Sequence, residues 1–344
     1  MGVKLPKDLP KHEITVADLK GGTYTVDAYN MIYQFLTSIR DRDSGEPFKD
    51  SKGRITSHLS GLFYRNINFM KNGLKLIYVF DGKPPDLKTE TREKRKEIKK
   101  RAESALSIAR EKEDIEGIIK YAQQTVRITP EIIGQSKELL RAMGIQWVQA
   151  PSEGEAQASV MARDNNRIDG VISQDLDCLL FGAPVVIRNL STSGRRKLPG
   201  KNIWVPISPE RIELSEVLDC FGINQQQLII LGMLVGTDYN PEGVSGIGPA
   251  KGLKLVREKV SLEKVMGEVE FGVDNAVVEK IYSIIDKPEV IDDIEIEENR
   301  FDVDEIRKIL VDDYEFSVDR VESGIKAMEN ISKKKCQKRL GQWS

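Results

Sequence analysis

Six acidic side chains fall just past the ends of short apolar runs. Asp27 follows Thr23–Val26, Asp81 follows Leu76–Phe80, Glu153 and Glu155 follow Gln146–Val148, and Asp175 and Asp177 follow or close Gly170–Ser173. A lone aspartate at such a place is ordinarily a turn or cap residue, and a glutamate in a first helical turn answers the helix dipole. Six acids on one edge are harder to explain that way. They repel, and their pKa values must rise unless a cation joins them. In Asp175-Leu176-Asp177 an extended backbone would point both acids the same way, able to grip one ion. Glu153-Gly154-Glu155 could do so only if its backbone is not yet helical. With only His12 and His58, and with Cys178, Cys220 and Cys336 far apart, a zinc site and a disulfide framework are excluded. The ion must be hard and oxygen-bound, which selects Mg2+, with Mn2+ as a substitute. Two such ions in one acidic pocket suit phosphodiester hydrolysis.

That chemistry needs cations for the substrate phosphate. Lys88 and Arg95 in DLKTETREKR stand seven residues apart, two helical turns, and so share a face. An arginine so placed can clamp a phosphate bidentately. Further on, GVSGIGPAKG at Gly243–Gly252 fits neither standard nucleotide fingerprint, because Gly252 follows Lys251 and the glycine spacing is not GxGxxG. Gly246-Ile247-Gly248-Pro249 followed by helical AKGLKLVREKV suits the hairpin of a helix–hairpin–helix motif. Its glycines, with Lys251, would let backbone amides meet a DNA phosphate without reading bases. Asp238, in Gly236-Thr237-Asp238-Tyr239, adds a seventh acid.

The elements that must position these residues alternate between strand and helix, with Val185–Arg188 as a further strand. This predicts an α/β fold with a mostly parallel central sheet and helices on both faces. Ligands bind such sheets beyond the carboxyl ends of the strands, where the six acids lie. The segment from about 84 to 129 is rich in Glu, Lys, Arg and Ala and predicts a helical excursion over those ends. Beyond Leu214 the chain reads as helices and turns. Length alone suggests about two domains. The pattern favours one nuclease domain over 1–332: an N-terminal part to 129, an internal part at 130–260 and a helical part at 261–332. The basic segment 333–344 reads as a mobile tail.

Of the 344 residues, 40% are hydrophobic, ample for a packed core. The net charge of −2 hides polarity. Lys83–Arg101 holds nine basic and four acidic residues; Pro288–Glu315 holds three basic and twelve acidic. Each run alone reads as a solvated helix face, but their contrast points to a nucleic-acid partner. The 31% of charged residues fits a hot-living source. No apolar run reaches membrane-spanning length and the N-terminus has no signal-like stretch, so an intracellular, non-membrane protein is expected.

YQFL at Tyr33–Leu36, TSHLSGLFYR at Thr56–Arg65, YVFDGKPPDLK at Tyr78–Lys88, APSEGEAQA at Ala150–Ala158, SQDLDCLLFG at Ser173–Gly182 and LVGTDYNPEGVSGIGPAKG at Leu234–Gly252 resemble the flap endonuclease family, within the XPG-type 5′ nucleases. The resemblance covers essentially the whole chain. It implies that Asp27, Asp81, Glu153 and Glu155 favour one metal ion and that Asp175, Asp177 and Asp238 favour the other. It implies that Lys88 and Arg95 engage the scissile phosphate and that Tyr33 stacks on the neighbouring base; the residues alone equally allow a core aromatic there. Gly2 would lie near the active site, Thr56 and Arg65 would help hold a short 3′ flap, and K+ would sit at the hairpin. The segment 84–129 would be an arch for the 5′ flap. Gln337, Leu340 and Trp343 resemble a sliding-clamp (PCNA) binding box, with Ser344 replacing its last aromatic. The box ends the chain without the basic extension of eukaryotic members, implying an archaeal member, monomeric when free and cytoplasmic or nucleoid-associated. The activity implied is Mg2+-dependent cutting of 5′-flap DNA in Okazaki-fragment maturation and repair. Rival readings are a 5′ exonuclease or bubble-cutting repair nuclease of the same fold, and a catalytically silent DNA-junction binding module. A small PIN-type ribonuclease would lack the arch and hairpin.

Overall fold

The computed structural model describes residues 2–41, 44–112, 114–191, 195–197 and 204–341. Its strands are β1 (His12–Glu13), β2 (Thr23–Asp27), β3 (Lys75–Phe80), β4 (Trp147–Gln149), β5 (Gly170–Ile172), β6 (Val185–Arg188), β7 (Arg195–Lys197), β8 (Trp204–Pro206) and β9 (Glu210–Glu213). Seven form one sheet in the order β1-β9-β6-β5-β2-β3-β4. β4, β3, β2, β5 and β6 run parallel; β9 and β1 complete one edge antiparallel. β7 and β8 pair as a separate antiparallel ladder.

Side chains alternate across the strands, as the pleat requires. Ile77 and Val79 enter one core with Val171 and Val186, while Tyr78 and Phe80 enter the other with Val26, Ile172 and Ile187. The first face is covered by α6 (Gly154–Asp164), α7 (Asp177–Leu180), α8 (Leu214–Phe221), α9 (Gln225–Val235), α10 (Pro249–Lys259), α11 (Leu262–Met266) and α12 (Asn275–Asp286). The second is covered by α1 (Ala28–Ser38), α2 (Ser57–Lys71), α5 (Pro130–Ala142), α13 (Val303–Arg307) and α14 (Val318–Gly341). Where α1 meets α2, a Cβ on Gly61 would stand 2.2 Å from the Phe35 ring, so only glycine lets the two pack.

Between β3 and β4 the chain leaves the sheet for α3 (Thr89–Glu111) and α4 (Ile115–Gln124), the expected helical excursion. Ala102 and Ala109 of α3 and Ala122 of α4 are buried, small residues that allow close helix packing. The excursion is tied down on two sides. Lys94 pairs with Glu242 at 2.6 Å, whereas Arg110 pairs with Glu46 at 2.6 Å and Arg40 donates to the Ala122 carbonyl at 3.1 Å.

The acidic run is not a helix face at its start. Residues 288–302 cross from α12 to α13 without regular structure. Gln157 both donates to the Ile291 carbonyl (2.9 Å) and accepts from its N–H (2.7 Å). Gln146 does the same with Glu295 and Glu297. Among the described residues no single helix is long and apolar enough to cross a membrane; α8 and α9 together have the composition but are bent by 78°. α14 runs to Gly341, so helix continues into the segment expected to be a mobile tail. Only the backbone of Gln337 and Leu340 is described there, and Trp343 lies outside the described residues.

Candidate active site

The turns past β2, β3, β4 and β5 carry six of the seven acids. Asp27 ends β2 and caps α1, accepting the Asn30 N–H at 2.9 Å. Asp81 follows β3 and accepts the Gly154 N–H at 2.7 Å, which joins the end of β3 to the start of α6. Glu153 is the residue before α6; Glu155, in its first turn, accepts the Ser173 hydroxyl at 3.1 Å. The helix begins at Gly154, so the non-helical backbone needed for Glu153 and Glu155 to act as an i, i+2 pair is not met. Asp238 lies past α9, and its backbone oxygen accepts the Thr91 hydroxyl of α3 at 2.6 Å.

Asp175-Leu176-Asp177 corrects the extended reading. Leu176 has helical angles (φ −83°, ψ −2°) and Asp177 opens α7. The cause is tertiary. The Gly2 N–H donates to Asp175 at 3.0 Å and the Val3 N–H to Asp177 at 2.8 Å. Successive amides of the N-terminal segment thus fix the two carboxylates, which brings Gly2 into the site.

Burial makes this cluster electrostatically costly. The Asp27 carboxyl is pushed up to about 7 by burial and then by the charges of Asp81 and Asp175, against the Asn30 N–H. Asp177 is also pushed up to about 7, by burial first and by Asp238 and Asp175. Burial raises Glu155 well above the carboxylate range, with Asp27, Asp177 and Asp175 adding to it. Asp81 is raised by burial and by Glu153, against its hydrogen bond from Gly154. Burial works against the charge of Lys88, but Glu153 and Asp238 together raise its pKa.

Lys88 and Arg95 converge as their spacing suggests, although Lys88 belongs to a 3₁₀ turn, Asp86–Lys88, ahead of α3. Lys88 pairs with Glu153 and stands 3.6 Å from Asp238; Arg95 pairs with both Asp238 oxygens at 2.8 and 2.7 Å. Tyr239 was not singled out by sequence reasoning. Its hydroxyl donates to Glu153 and its ring lies 4.8 Å from the Lys88 ammonium. Its place next to Asp238 was the available signal.

As the side chains stand, no three His, Cys, Asp or Glu among the described residues close around one ion. Glu153 turns to Lys88 and Tyr239, Asp238 to Arg95, and Asp81 to Gly154. The donor set nevertheless fits a hard divalent cation: every donor is a carboxylate oxygen, and the buried acids carry excess negative charge. Ion binding requires those side chains to exchange protein partners for metal.

The glycine-rich turn joins α9 to α10. Gly246 has φ +74°, and a Cβ there or at Gly248 would meet nothing within 4 Å, so both face open space. Lys251 donates to the Gly246 carbonyl at 3.2 Å. Tyr33 is 39% exposed on α1, which removes the core-aromatic alternative. Thr56 is only 6% exposed before α2, and Arg65 is half-buried.

The XPG N-terminal domain matches residues 1–102 and the XPG I-region residues 144–238. Fold and acid-lined strand ends thus define the class, an α/β nuclease of the XPG type. Flap endonuclease 1 of Hyperthermus butylicus is 47% identical over 96% of this chain and 94% of its own length. That of Pyrococcus furiosus is 46% identical over 100% and 99%. The flap endonuclease-1 structure from Methanococcus jannaschii superposes with a TM-score of 0.75 at 42% identity, covering 97% of this chain and 100% of that one. The catalytic core of Rad2 in complex with DNA shares the fold, with a TM-score of 0.67 at 24% identity and 93% and 96% coverage. The chain belongs to the flap endonuclease family and is a structure-specific nuclease acting on DNA.

Proposed function

We propose that the chain cuts 5′-flap DNA near the junction of single and double strand, leaving 5′-phosphate and 3′-hydroxyl ends, with two Mg2+ ions as cofactors. The observation that carries this reading is the convergence of seven carboxylates with Lys88 and Arg95 at the foot of α3. Asp27, Asp81, Glu153 and Glu155 would hold one ion, and Asp175, Asp177 and Asp238 the other. Bound there, the ions supply Lewis acidity to the attacking water and to both reacting oxygens of the phosphate. The chain's own residues do the rest. Lys88 and Arg95, paired here with Glu153 and Asp238, would turn to the scissile phosphate, whose negative charge can take the place of those carboxylates.

The hairpin at Gly246, Gly248 and Lys251, with K+ beside it, would grip the duplex backbone at a distance from the cut. The exposed Tyr33 ring suits stacking on a base, and α3 and α4 form the arch that takes the single strand. Thr56 and Arg65 would border a 3′ flap. We read 1–332 as one nuclease domain. Gln337, Leu340 and Trp343 would dock on a sliding clamp, placing the enzyme in Okazaki-fragment processing and repair.

Asp177→Ala tests the metal assignment. Cutting of a labelled flap should vanish while flap binding persists, because the acid serves the ions rather than the DNA. Near-wild-type cutting in saturating Mg2+ would refute the assignment.

A further inference from the structure

Asp175 is engaged through both oxygens. One accepts the Gly2 N–H; the other, Oδ2, accepts the side-chain amide of Asn30 at 3.3 Å. Asn30 Oδ1 accepts from Gln34 Nε2 at 2.7 Å, one helical turn along α1. Gln34 Oε1 accepts the hydroxyl of Ser191, a buried residue just past β6. The polarity of this chain has one solution. A carboxylate only accepts, so Asn30 must turn its NH2 to Asp175 and its oxygen to Gln34. Gln34 then gives its NH2 to Asn30 and keeps its oxygen for a donor, which the Ser191 hydroxyl supplies. The end of β6 holds the same turn by a second route, because Arg188 Nε donates to the Gln174 carbonyl at 3.1 Å.

We propose that Asn30, Gln34 and Ser191 form a relay that positions the Asp175 carboxylate for metal binding and ties its orientation to the end of β6. The proposal rests on Asp175 being a metal ligand. Asn30 and Gln34 are positioning residues: neither holds the ion, and each has a donor or acceptor committed to aiming the next. Partners one step beyond a metal's ligands typically alter affinity by roughly 10- to 100-fold when removed.

The test measures Mn2+ binding to the full chain without DNA, by electron paramagnetic resonance, for wild type, Asn30→Ala, Gln34→Glu and Ser191→Ala. Thermal melting and flap binding in Ca2+ are followed in parallel. Asn30→Ala should weaken Mn2+ binding about tenfold with flap binding retained. Gln34→Glu is the discriminating variant. A carboxylate at 34 cannot donate to Asn30, so it turns the amide around and presents an oxygen to Asp175. Mn2+ binding should weaken, whereas added negative charge alone would tighten it. Ser191→Ala should act in the same direction, less strongly, and decides the matter if either of the others fails to fold. Wild-type Mn2+ affinity in the folded variants would overturn the relay. Absence of Mn2+ binding by the wild type would instead overturn the metal reading of the carboxylates.

Discussion

At the scale of residues, the site is a set of acids kept at close quarters by backbone amides and by two borrowed cations. The arrangement has a pH signature. Asp27 and Asp177, whose ordinary pKa is 3.8, are pushed up to about 7 in the fold. Between those values the folded chain binds more protons than the unfolded one, so stability without metal should fall as pH rises through that window and level off above it. Added Mg2+ should therefore raise the melting temperature more at pH 8 than at pH 5. An equal rise at both values would show that these carboxyls do not give up protons to the ion. Lys88→Ala and Arg95→Ala address the phosphate. Each should slow single-turnover cutting by roughly 10²–10³-fold, the usual cost of losing positioned electrostatic stabilisation, with a smaller loss of binding. A loss of affinity with unchanged single-turnover rate would make them ordinary backbone contacts. Six of the seven acids that converge could be read from the sequence because each follows an apolar run. How they point could not. The turn at Asp175–Asp177 is set by amides at Gly2 and Val3, far away in the chain, and the relay through Asn30 and Gln34 ends on Ser191.

Elements divide in the same way. The five parallel strands appear within one residue of their expected bounds, because Val, Ile, Leu, Tyr and Phe alternate across two buried faces there. β9 was not legible: Glu-Arg-Ile-Glu has a single apolar residue, Ile212, and it becomes a strand by pairing with β6 on one side and β1 on the other. β1 (His-Glu) and β7 (Arg-Arg-Lys) are short and polar and carry no periodic signal, and β8 (Trp-Val-Pro) is too short to show one. The α3–α4 excursion was legible from its composition, but its anchoring at Glu46 and Glu242 was not. The hairpin can be tested as an element. Gly246 takes a left-handed backbone angle, so Gly246→Ala should cost about 1–2 kcal/mol of stability. Its added methyl projects into the open space assigned to a DNA phosphate. Flap affinity should therefore fall while the single-turnover rate at saturating DNA stays within about twofold. Unchanged affinity would remove the hairpin from the DNA interface.

Across the whole molecule, charge is abundant and unevenly distributed along the chain. Lys83–Arg101 begins at the acid-lined strand ends, and part of the run Pro288–Glu315 is held along α6 and the start of β4 by Gln157 and Gln146. A net charge near zero thus coexists with local runs of opposite sign. On the function proposed above, ions held in the carboxylate cluster let this body cut a branched substrate. The most direct measurement presents end-labelled 5′-flap, nicked, bubble and single-stranded DNA to the full chain, in Mg2+ and in chelator. The flap substrate should be cut in Mg2+, near the junction and far faster than the other three, with none cut in chelator. Equal cutting of bubble or single-stranded DNA, or flap cutting that survives the chelator, would contradict it.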